Sequence, residues 1–215
     1  MSYASDDEQL ENLKQWWREN GRSVIAGVVI ALVAVIGWQQ WNEYQRNRAE
    51  AASTEYMAFL EDIRKDGAGD AAVQRGQALI DKHGSTAYGP LTAFWLAQYH
   101  VEHDQLDQAA KQLRWALDNA DSEAMRHVAR LRLARVLLAQ DKPADALALI
   151  EPAPAGAFAS QYQELRGDIL AAQGKRDEAI AAYRNALADK DLLGQRRGLI
   201  QLKLNDLGAA EEPVS

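Results

Sequence analysis

Cysteine is absent from the 215-residue sequence, which excludes disulfides, thiolate metal sites and cysteine nucleophiles together. Proline is scarce at five residues, too few for the turn punctuation of an all-β chain. Histidine is limited to His83, His100, His103 and His127. The formal net charge is −7, from 31 acidic and 24 basic side chains. No Lys/Arg-rich stretch offsets it, so no nucleic-acid partner is expected. A glycine-rich phosphate loop is missing too, because Gly174-Lys175 is followed by Arg176 rather than Ser or Thr. No nucleophile–base–acid set stands out, and neither a metal nor a cofactor is expected. What remains is 47% apolar, an ordinary globular value that excludes wholesale disorder. The length suits one anchored domain or two very small ones.

One apolar run dominates the N-terminal region. Val24 to Trp38 contains no charged or strongly polar side chain. Extended from Gly21 to Trp41, it would be about 31 Å long as a helix, enough for a hydrocarbon core. Trp16 and Trp17 precede it, and Trp38 and Trp41 close it, the aromatic belt of an interface-anchored span. That bracket, and the isolation of the run, argue against a buried soluble helix. A cleaved signal peptide fits poorly: the preceding region is long and acidic, and bulky Gln39, Gln40 and Trp41 stand where cleavage needs small residues. An uncleaved anchor in a lipid bilayer is the expectation. Lys14, Arg18 and Arg22 precede the span and only Arg46 and Arg48 follow closely, a bias toward a cytoplasmic N-terminus.

Beyond the span the pattern is helical. Tyr56, Phe59, Leu60 and Ile63 form the i, i+3, i+4, i+7 stripe of an amphipathic helix. No Pro or Gly lies between residues 42 and 54, so the membrane helix is free to continue into it. Gly67-Ala-Gly69 ends the stretch, with Asp70 as the expected N-cap of the next helix.

Self-comparison shows a repeat. Segments starting at Asp104, Asp141 and Gly174 align without gaps, placing Ala109, Ala146 and Ala179 in register at spacings of 37 and 33 residues. A larger residue follows four positions later (Leu113, Ile150, Tyr183), and Ala116, Ala153 and Ala186 follow three beyond that. Upstream stand Leu96-Ala97, Leu133-Ala134 and Arg166-Gly167. A period near 34 with small–large–small spacing is the tetratricopeptide pattern, in which small residues let two antiparallel helices cross closely. Arg166 departs from the usual Leu, and Pro152 and Pro154 cut short the middle repeat's second helix. Residues 70–83 read as the second helix of a degenerate further repeat, with Ala71 and Ala78 seven apart, and residues 191–207 as a closing helix.

The fold expected is therefore all-α: a single N-terminal transmembrane helix followed by a tetratricopeptide-like helical-repeat solenoid. Its expected divisions are a cytoplasmic tail (1–20), the transmembrane helix (21–41), a connecting helix (42–66), the repeat domain (67–209) and a flexible C-terminal tail (210–215). In such an array the first helix of each pair lines a concave groove. Counting back from the alanines places Phe94, Gln98 and Val101 there, then Leu131, Arg135 and Leu138, then Glu164 and Asp168. These are the candidate partner-binding residues. The remaining polar groups read as structural: His100 and His103 as solvated histidines near a helix end, Arg130, Arg132 and Arg135 as a salt-bridged helix face, and Glu151 and Asp168 as solvated carboxylates.

The acidic tail, single span and repeat domain resemble the YfgM family. The stretches 113–120 and 131–140 and the ending 199–207 carry the resemblance, which covers nearly the whole chain. It implies a non-enzymatic ancillary subunit of the bacterial Sec translocon, anchored in the inner membrane with its C-terminal domain in the periplasm. The partners it implies are the SecYEG translocon, a PpiD-like periplasmic chaperone and translocating polypeptides. The alternative is a membrane-anchored scaffold for another envelope assembly.

Overall fold

The structure, a computed structural model, describes residues 3–66, 69–151 and 156–209, with side chains omitted for 3–9 and 66. The expected tail at 210–215, together with Pro152, Ala153 and Pro154, lies outside the described residues. Among these the chain is all-α: α1 (Tyr3–Asp66), α2 (Asp70–His83), α3 (Tyr88–Glu102), α4 (Leu106–Asn119), α5 (Glu123–Ala139), α6 (Pro143–Ile150), α7 (Ala159–Ala172), α8 (Arg176–Leu187) and α9 (Gly194–Asp206), with a short 3-10 turn at Gly156–Phe158. Two compact units divide after Ala51.

The first unit is helix α1 as far as Ala51. A helix satisfies its own backbone polar groups, which a membrane span requires. Ile25, Val28, Ile30, Leu32, Val33 and Ile36 are all more than half exposed. No other described helix is both long and apolar enough to cross a membrane. By length and composition this segment is able to cross a membrane, which makes it the candidate membrane anchor. Trp16, Trp17, Trp38 and Trp41 are likewise exposed along it.

The second unit starts at Ala52, ahead of the expected boundary at 67, because the last turns of α1 belong to its core. Ala52 and Phe59 are fully buried. Phe59 meets the edge of Trp95 with ring centroids 5.0 Å apart, and Trp95 stacks on Tyr99 at 5.8 Å. Helix α2 completes this first hairpin. Its buried small residues are Ala72 and Gly76, whereas Ala71 and Ala78 face solvent, so the expected register was one residue off. A Cβ on Gly76 would stand 3.0 Å from Leu96 and 3.2 Å from Phe59. Gly69, not Asp70, is the N-cap, and Asp70 sits in the first turn, where its charge complements the helix dipole. Ion pairs from Glu55 to Lys82 and from Asp62 to Arg75 add to the hairpin's polar edge. Buried His83 brings its Nε2 to 3.1 Å from Glu55.

Helices α3–α4, α5–α6 and α7–α8 form three further hairpins, and α9 closes the array. Each helix from α2 onward packs on the next, while α3 also meets α5 and α5 meets α7. Ala109, Ala146 and Ala179 are fully buried at the crossings, as are Ala116 and Ala186. The third repeat departs in a paired way. Gly167 stands where the others have Ala97 and Ala134, and a Cβ there would lie 2.4 Å from the Tyr183 ring. Tyr183 in turn replaces Leu113 and Ile150, so the larger ring occupies the space of the missing methyl. The turn inside each hairpin also repeats. Asp104, Asp141 and Gly174 all have φ between 57° and 74°. The next residue's N–H donates back to the carbonyl of His100, Leu137 or Leu170 at 2.8–2.9 Å, the six-to-one bond of a Schellman motif.

Candidate protein-binding groove

Three adjoining hollows run along the face made by the first helix of each pair. A cavity of about 380 Å³ between α3 and α5 is lined mainly by apolar side chains, among them Phe94, Val101, Leu106 and Val136. Arg132 and Arg135 border it and also border the next hollow, about 550 Å³, which α7 and α9 complete with Glu164, Asp168, Arg196 and Lys203. A third, about 630 Å³, shares Arg196 and Leu199 and adds Leu193 and Leu202.

Of the residues expected at the groove, Phe94, Gln98 and Val101 line the first hollow. Arg135 lines the first two, and Leu131, Glu164 and Asp168 line the second. Leu131 is nearly fully buried there. Leu138 lines none of the three hollows; it packs half-buried against the core. Sequence reasoning missed Arg132, Arg196 and Lys203. On α5 the groove face follows Arg132, Arg135 and Val136, so a count from Leu131 lands partly on the core side. The signal available was the i, i+3 spacing of the two arginines.

Charges in the second hollow are unevenly satisfied. Glu164 is 4% exposed and accepts from Arg196 Nε at 2.7 Å and Lys203 Nζ at 2.9 Å. Burial raises its pKa, but these two cations outweigh burial and hold the carboxyl below its ordinary 4.5. Asp168, expected to be solvated, accepts from Lys203 at 2.7 Å and from the Tyr183 hydroxyl at 2.7 Å. Burial, reinforced by that bond, pushes the Tyr183 hydroxyl far above its ordinary value. Helix α9 is thereby tied to α7. On α5, Arg126 pairs with Glu123 at 2.7 Å, but Arg130, Arg132 and Arg135 have no described carboxylate within ion-pair distance, contrary to the expected salt-bridged face. Arg132 lies over the Phe94 ring, 5.0 Å from its centroid. The protein packed around the Arg135 stem lowers its pKa, partly opposed by the charge of Glu164.

The histidines serve packing. His100, expected to be solvated, is buried with Nδ1 2.6 Å from Gln105 Oε1. His103 Nδ1 lies 2.7 Å from the Tyr99 carbonyl. His127 hydrogen-bonds the Tyr162 hydroxyl at 2.8 Å and stacks on Phe158. Glu151 pairs with Arg166 at 3.2 Å, a surface use for the arginine that departs from the repeat pattern.

A candidate membrane anchor followed by hairpins with small residues at each crossing defines a tetratricopeptide-like protein with an N-terminal helix able to cross a membrane. Residues 14–209 match the family model of the tetratricopeptide repeat-like domain. An Escherichia coli (strain K12) protein named ancillary SecYEG translocon subunit is 31% identical over 206 residues, covering 95% of this chain and 98% of its own. Proteins of the same name from Aggregatibacter actinomycetemcomitans (31% over 208 residues, 96% and 100% covered) and Neisseria gonorrhoeae (30% over 213 residues, 96% and 99% covered) are similar in extent. The chain belongs to this family, YfgM, to which its sequence resemblance pointed.

Proposed function

We propose that the protein is a non-enzymatic ancillary subunit of the Sec translocon, held in the inner membrane by α1 with its N-terminal tail in the cytoplasm. Its repeat domain works in the periplasm, where it links SecYEG to a PpiD-like chaperone and contacts polypeptides leaving the channel. The observation that carries this reading is an open groove across four helices, in a chain related end to end to proteins named for that translocon. Groove side chains that could titrate hold helices together, as Glu164 and Asp168 do, which supports binding over catalysis. Phe94, Gln98, Val101, Leu131, Arg135, Glu164 and Asp168 form the proposed contact face, with Leu138 supporting it from behind.

Crosslinking in intact membranes, read by mass spectrometry, tests the reading. SecYEG subunits and a membrane-anchored periplasmic chaperone are the expected adducts, and exclusive capture of another envelope assembly would overturn it. Protease added outside spheroplasts should digest the chain beyond residue 42 and leave a small N-terminal fragment. Full protection in sealed spheroplasts would reverse the orientation.

A further inference from the structure

We propose that the groove selects an acidic polypeptide segment flanked on both sides by apolar residues, its carboxylates held by Arg132 and Arg135. The inference rests on the groove being a protein-binding surface, and it specifies what that surface prefers.

The order of surfaces along the groove sets the pattern. One end is the apolar cavity with Phe94 and Val101. The middle carries Arg132, Arg135, Arg196 and Lys203 against Glu164 and Asp168. At the other end Leu193, Leu199 and Leu202 stand exposed, Leu193 by 78%. Apolar, cationic and apolar surfaces follow one another, and an occupant complementary to them is apolar, acidic and apolar.

Charge accounting identifies which cations remain for it. Arg196 and Lys203 are committed to Glu164 and Asp168 at 2.7–2.9 Å. Arg132 and Arg135 have no described carboxylate within ion-pair distance, and they sit together on one face of α5 at i, i+3. Glu102 at the apolar end accepts a hydrogen bond from Gln98 at 2.9 Å and lines only the first hollow. On a chain of net charge −7, a groove centre holding two arginines without an ion-pair partner is a local reversal of sign. Arg135 is exposed on this face, and the protein packed around its stem disfavours its charge. A carboxylate arriving there replaces lost hydration with charge-assisted, bidentate bonds, which a lysine-bearing segment cannot supply. Neighbouring helices pack about 8–10 Å apart, so a segment crossing α3, α5, α7 and α9 needs roughly eight extended residues.

The test uses the full chain in detergent micelles and labelled peptides read by fluorescence anisotropy. One peptide has leucines at both ends and glutamates between; a second has lysines for the glutamates; a third has serines for the leucines. The first should bind about tenfold or more tightly than either other. Arg132→Glu with Arg135→Glu should invert the glutamate–lysine preference, and Arg135→Gln should weaken the glutamate-bearing peptides but not the lysine one, with thermal melts confirming that both variants fold. Equal binding of the glutamate and lysine peptides, weakened alike by Phe94→Ala, overturns the charge rule and leaves the groove as a binding surface. No binding of any peptide, together with full partner capture by the double variant in membranes, overturns the groove reading as well. Self-association lost in the double variant would instead make a second copy the occupant and refute the proposal.

Discussion

At Asp141 and Asp104 an L-residue occupies the left-handed region, with φ 58° and 57°. The third repeat uses Gly174 at the same place. Left-handed backbone costs a Cβ-bearing residue roughly 1–2 kcal/mol, less for Asp than for most. Asp141→Gly should therefore raise stability by about 0.5–1 kcal/mol despite the looser unfolded chain, and Gly174→Val should lower it by at least about 1 kcal/mol. Denaturant melts check both; a stabilised Gly174→Val would show that the turn is not held in this conformation. Gly167 is constrained by crowding instead. Gly167→Ala should cost about 1–3 kcal/mol by overpacking the Tyr183 ring. Tyr183→Leu in the same chain should recover part of that cost, since Leu is what the first repeat pairs with Ala. A double-mutant cycle showing no coupling would separate the two residues.

Helices α7 and α9 meet through a buried carboxylate, so their contact depends on pH. Glu164 has its pKa depressed on folding. Its contribution is present above the unfolded value near 4.5 and is lost as pH falls through the lower folded value. The melting temperature should drop as pH goes below about 4.5, and Glu164→Gln should flatten part of that dependence. At neutral pH, Glu164→Leu should cost about 1–3 kcal/mol. Arg196 and Lys203 lose a buried partner, although Lys203 keeps Asp168. The hairpins α3–α4, α5–α6 and α7–α8 were legible in the sequence because close crossings demand small residues at fixed spacing. The first hairpin was less so: its close contact uses Gly76 against Phe59 and Leu96, a combination outside the alanine pattern. The Glu164–Arg196–Lys203 cluster joins residues 32 and 39 apart, and no local periodicity encodes such pairs. The groove's α3 residues were readable by counting, but on α5 the arginines, not Leu138, mark the open face.

Across the whole chain, apolar residues serve two different solvents. From Leu10 to Ala51 they are displayed, and from Ala52 they turn inward around Leu96, Leu113, Leu165 and Ile200. A chain beginning at Ala52 should remain helical and need no detergent, as size-exclusion chromatography and circular dichroism would show. Aggregation of that fragment would mean that the anchor also supports the fold. The packing of each helix on its sequence neighbours has a kinetic side as well. Contacts so local in the chain give a low contact order, which favours rapid folding, and stability becomes nearly a sum of adjacent interfaces. A polypeptide delivered N-terminus first could therefore close its hairpins in order, each templating the next before the remainder arrives. Helix α9 has no hairpin partner of its own and is held to α7 through Glu164 and Asp168, so it sets last. Native-state hydrogen exchange should find the α9 amides among the first to open and those of α3 and α5 among the last.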